Sequence, residues 1–107
     1  MDQMDTEGKL VRNRIPEIIK AAGGQPSTRV LDNAERLPAL LAKLQEESDE
    51  LRAAPSPGEQ SEELADVFEV IKAIASELGQ PWNEIEATAA EKRAERGGFG
   101  DGIWLQP

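Results

Sequence analysis

Residues 54–60, APSPGEQ, place two prolines and one glycine within seven positions. This is the sharpest break in the chain, too short to separate two domains and well suited to turning one helix back on another. Before it, Leu37, Leu40, Leu41, Leu44, Ser48 and Leu51 lie on one stripe of a helix. After it, Leu64, Val67, Phe68, Ile71, Ile74, Ala75 and Leu78 recur at helical spacing until Gly79. The pattern predicts an antiparallel helical hairpin as the centre of an all-α bundle. Asp32 and Glu35 have capping-box spacing before the first long helix, Pro38 argues that this helix starts or kinks there, and the helix is expected to reach about Ala54.

Outside the hairpin, Leu10, Val11, Ile15, Ile18 and Ile19 suit a short helix with Pro16 in its first turn and Gly23-Gly24 at its end. QPSTRVL (25–31) then reads as a short extended segment. Pro81 fits the first turn of a last helix, WNEIEATAAEKRAER, which stops at Gly97-Gly98 with Lys92, Arg93 and Arg96 in its final turns. The tail GFGDGIWLQP is Gly-rich with an apolar end, expected to be a short extended strand or a packing arm. Residues 1–8 are polar and expected to be mobile, which leaves 9–107 as a single helical domain.

Composition narrows the chemistry. Twelve basic against 21 acidic residues give a formal charge of -9, the wrong sign for direct nucleic-acid or anionic-membrane binding. Bound divalent cations reverse the local field, so nucleotides remain possible partners. Without cysteine or histidine there is no disulfide framework, thiolate chemistry or imidazole site. The start MDQMDTEGKL lacks the order of a signal peptide, and no apolar run approaches the roughly 20 residues of a membrane span, so a cytoplasmic protein is expected. A chain of 107 residues builds only a modest core and gains from self-association.

The acidic runs carry the functional signal. At about 100° per residue, Glu47 and Glu50 fall about 60° and 120° to one side of Leu44, and Glu63 and Asp66 about 80° and 140° to the same side of Ile71. Antiparallel packing relates the helices by a two-fold, so equal offsets land on one side of their interface. The heights also match, Glu50 with Glu63 and Glu47 with Asp66, because each pair is equidistant from the loop. Four converging carboxylates would repel unless cations or shared protons compensate, and all-oxygen sites suit Mg²⁺ or Mn²⁺. EESDE and EELAD also fit ordinary solvated helix faces, and on the angles alone both readings stand.

Glu46-Glu47-x-x-Glu50, twelve intervening residues and Glu63-x-x-Asp66 resemble the EExxE…ExxD signature of the MazG-like all-α nucleoside triphosphate pyrophosphohydrolases. KLVRNRIPEIIKAAGG, LAKLQEESDEL, EELADVFEVIKAIASELG and EKRAERGGFGDGIWL extend the resemblance from Lys9 to Leu105, toward the small phosphoribosyl-ATP pyrophosphohydrolase-like, house-cleaning branch. It implies Glu47, Glu50, Glu63 and Asp66 as Mg²⁺ ligands, a homo-oligomer (dimer or tetramer), and cleavage of a nucleoside triphosphate into monophosphate and pyrophosphate. Glu46 is the candidate proton acceptor, with a surface role the alternative. The substrate's phosphates call for cations, for which Lys92 and Arg96, four apart on the last helix, and Arg12 and Arg14 of VRNRIP are the candidates. Helix-end stabilisation and plain solvation are the alternatives. Asn13 occupies a position that is commonly acidic in this branch. Trp82 and Trp104 would either stack on a base or anchor a core or interface. Two further readings stay open: phosphoribosyl-ATP pyrophosphatase of histidine biosynthesis, and a catalytically silent helical interaction module.

Overall fold

The computed structural model describes residues 8–107, so the expectation of mobility over 1–8 falls almost wholly outside the described residues. Four helices follow in order: α1 (Ile15–Ala21), α2 (Asn33–Ala53), α3 (Pro57–Glu77) and α4 (Trp82–Arg96). No strand occurs among the described residues, and the chain is all-α. Residues 25–31 and the tail beyond Gly97 are irregular, apart from a turn in which the Gly102 amide donates to the Phe99 carbonyl.

Local chemistry sets the helix ends. Pro16 stands in the first turn of α1, where its missing N–H costs nothing. The capping box of α2 is complete: Asp32 accepts from the Glu35 amide and its own amide donates to Glu35 Oε1, both at 3.1 Å. Arg29 holds the same carboxylate through two hydrogen bonds of 3.0 and 2.8 Å. That guanidinium, with the Asp32 amide, pushes the Glu35 pKa down to about 2. The expectation that α2 starts or kinks at Pro38 is corrected in its first half, since the cap places the start at Asn33 and Pro38 lies within the helix. Helix entry is fixed by the paired cap, and Pro38 removes only the amide that Ala34 would have accepted from.

The hairpin connection is tighter than APSPGEQ suggested. α2 ends at Ala53, and Ser56 caps α3 by accepting from the Glu59 amide at 3.2 Å. Pro57 therefore opens the helix and does not extend the loop. α3 closes on Gly79 at φ +69°, where the Gln80 amide reaches the Ala75 carbonyl at 2.8 Å and the Gly79 amide reaches Ser76 at 3.0 Å. This is the left-handed glycine stop that satisfies two terminal carbonyls.

α2 and α3 pack along each other, and α4 folds back on α3 through Phe68 and Trp82, whose rings meet edge-to-face at 5.7 Å and 89°. Lys72 lies over both rings at 5.5 and 5.8 Å. The buried side chains are few: Ala39 and Glu47 on α2, Val70 and Ala75 on α3. On α2 the two buried residues are Ala39 and Glu47, Lys43 between them is half-buried together with Leu37, Leu40 and Leu44, and Leu41 and Ser48 are exposed, so the interface is shifted from the leucine stripe toward the acidic flank. On α3 Glu63, Val67, Val70 and Ile74 turn inward on the acidic side of Ile71, which is itself exposed, while buried Ala75 lies on its other side. Leu41, Leu64, Phe68 and Ile71 are left on an exposed apolar face.

Candidate metal centre

The rotation of the hairpin interface brings Glu47, Glu50 and Glu63 together, each offering an oxygen within 4.8 Å of the others. Glu47 is only 5% exposed, Glu63 is half-buried and Glu50 faces solvent. Buried carboxylate oxygens ordinarily find a donor. Here Glu47 Oε2 and Glu63 Oε2 have none. Desolvation, together with the adjacent carboxylates of Glu47 and Glu50, pushes the Glu63 pKa up to about 7. The cluster thus carries uncompensated negative charge and two orphaned acceptors, which is the environment an oxygen-seeking divalent cation would relieve.

One internal cation partly balances it. Lys43 Nζ lies 3.2 Å from Glu47 Oε1 and 2.9 Å from Glu46 Oε2. Burial alone would lower the Lys43 pKa, but its hydrogen bonds to Glu46 and Glu47 outweigh that and leave it raised. Sequence reasoning missed Lys43, although its i,i+3 and i,i+4 spacing to Glu46 and Glu47 was a readable signal.

The other predicted residues lie outside this cluster. Asp66, one turn beyond Glu63, is outside the three-carboxylate cluster and accepts from Arg12 Nη2 at 2.6 Å. Four-way convergence is thus reduced to three, because the guanidinium holds the fourth carboxylate. Glu46 sits on the far side of Lys43, with Lys9 Nζ at 3.8 Å from its Oε1. Arg14 pairs with Glu17 at 2.6 Å within its own helix turn. Lys92 and Arg96 are exposed on α4 and pair with no carboxylate among the described residues. Trp82 packs on Phe68, whereas Trp104 is 85% exposed and anchors no core among the described residues.

Lys9 and Arg12 belong to one short segment before α1. It crosses the hairpin with an ion pair to α2 at one end and to α3 at the other. Beneath it a cavity of about 310 Å³ is lined by Lys9, Leu10, Ala39, Ala42, Lys43 and Glu46.

No family model matches the chain, and no solved structure matches it. An uncharacterized protein of Mycolicibacterium smegmatis is 56% identical over 46 residues, which are 43% of this chain and 47% of that protein. The chain thus matches about half the length of this curated relative.

Proposed function

We propose that the protein is a divalent-cation-dependent nucleotide pyrophosphohydrolase of the MazG-like kind, with Glu47, Glu50 and Glu63 as the ligands of Mg²⁺ or Mn²⁺ and Asp66 as a fourth. The observation that carries this reading is the pair of buried oxygens without a hydrogen-bond partner on Glu47 and Glu63, two of the three clustered carboxylates. An acidic helix face that merely meets solvent has no reason to bury Glu47. The donor set fits the ion, since it is all oxygen and partly solvent-facing, leaving room for water and phosphate. A bound cation would neutralise charge on the phosphates and lower the pKa of an attacking water.

The chain's own groups supply the rest. Water adds to one phosphorus of the α,β-bridge, the bridging P–O bond breaks, and a monophosphate and pyrophosphate leave. The water's proton passes to a carboxylate, the role given to Glu46. Lys43 joins Glu46 to Glu47 and fixes the orientation of both. The phosphates would be met by Arg12 and Arg14, once they leave Asp66 and Glu17, and by Lys92 and Arg96, which are exposed on α4.

A homo-oligomer belongs to the same reading. The accessible surface is 9197 Å², against about 5,900 Å² for a compact monomer of this mass. The radius of gyration is 17.4 Å against about 13 Å for a globule of similar length. Part of the surplus lies on the irregular tail, whose Phe99, Ile103, Trp104 and Leu105 are all exposed, and part on the apolar face of the hairpin, surface of the kind that an interface covers.

The test is pyrophosphate release from a panel of nucleoside triphosphates and phosphoribosyl-ATP, with and without Mg²⁺, comparing wild type and Glu50→Gln. Metal-dependent release that the substitution lowers at least about a hundredfold supports the reading. A protein that binds no metal and releases nothing is better described as an interaction module, for which the exposed apolar face speaks.

A further inference from the structure

The segment from Lys9 to Arg12 reaches both helices of the hairpin and is tied to each by charge. Lys9 meets Glu46 on α2 and Arg12 meets Asp66 on α3, 54 positions away in sequence. Between them Leu10 and Val11 are only half-buried. Ion pairs between exposed side chains hold weakly, so this strap is the kind of contact that a stronger field displaces. Beside it lies a stronger field in waiting: three carboxylates, two of them with orphaned oxygens.

We infer that Arg12 is a stand-in counter-ion that a divalent cation displaces from Asp66. The inference rests on the metal reading above and adds the coupling between metal loading and the strap. Asp66 is one helical turn from Glu63 and on the same side of α3, so a change of side-chain rotamer carries it toward the cluster. A doubly charged ion among Glu47, Glu50 and Glu63 attracts Asp66 and repels the guanidinium beside it. Asp66 exchanges a monovalent partner for a divalent one. The freed guanidinium, with its planar fork of donors, is then available to a phosphate oxygen pair at the edge of the same site. Arg12 is thus a positioning residue that competes with the metal for one ligand.

Calorimetric titration with Mn²⁺ alone, on the full chain, tests this through a double-mutant cycle of wild type, Arg12→Gln, Asp66→Asn and the double variant. Circular dichroism checks that each is folded. Competition predicts that Arg12→Gln tightens Mn²⁺ binding by about tenfold when Asp66 is present and has little effect when it is Asn. Equal tightening in both backgrounds would reveal a general charge effect and overturn the latch. Weakening by Arg12→Gln would overturn it as well. Absence of Mn²⁺ binding in all four proteins would overturn the metal reading itself, and the latch with it.

Discussion

Lys43 and Glu47, one turn apart on α2, face each other at 3.2 Å inside the hairpin interface, where both side chains are largely shielded from water. The lysine is the only internal cation within reach of the carboxylate cluster among the described residues. Removing it as Lys43→Met leaves a buried carboxylate uncompensated, and the cost is expected at roughly 3 kcal/mol in urea unfolding without metal. Lys43→Met combined with Glu47→Gln should recover most of that loss. A single variant as stable as the wild type would mean that Glu47 is more hydrated than its burial implies.

Acidity should act on the metal-free protein in two opposite senses. Glu63 has its pKa raised to about 7, so the folded chain keeps a proton that the unfolded chain loses above about 4.5. The stabilisation is full below that value and disappears as pH rises through 7. Glu35 is lowered to about 2, so its contribution is present above about 4.5 and is lost as pH falls through 2. Thermal melts in EDTA across this range should decline on both sides, Glu63→Gln flattening the upper limb and Arg29→Ala the lower. A Glu63→Gln variant with an unchanged upper limb would remove Glu63 as its cause.

Metal addition should reverse the upper limb. Binding requires the deprotonated cluster, so Mg²⁺ should raise the melting temperature more at pH 8 than at pH 6, with proton release on binding. Buffers of different ionisation enthalpy would reveal the released proton in calorimetry. Equal stabilisation at both pH values would sink the link between Glu63 and the ion.

The exposed face of Leu41, Leu64, Phe68 and Ile71 predicts association. Light scattering should give at least twice 11.7 kDa, and Leu64→Glu should shift the protein toward the monomer. A wild-type monomer at micromolar concentration would leave this face unexplained by self-association.

Much of this was legible in the chain. The break at Pro55–Pro57 fixed the hairpin, and Asp32, Glu35, Gly23 and Gly79 marked their helix ends through chemistry that is local and therefore readable. The rotation of the interface was not. Leucines at 37, 40, 41 and 44 mark one broad stripe, but periodicity does not say which flank of it the partner helix takes. Lys43 and Glu47 look like an ordinary surface pair until that rotation turns them inward. Nor did spacing reveal that Arg12 would hold Asp66, since a contact across 54 positions depends on how the strap crosses the hairpin.

The short turn between α2 and α3 has a further consequence. Glu50 and Glu63 are joined by only twelve residues, most of them helical, so the two halves of the centre are held at a high local concentration by the chain itself. Dilution that separates copies of the protein cannot separate these ligands. Metal affinity should therefore be insensitive to protein concentration, while any property that depends on a neighbouring copy should fade on dilution, which divides what one hairpin owns from what the assembly supplies.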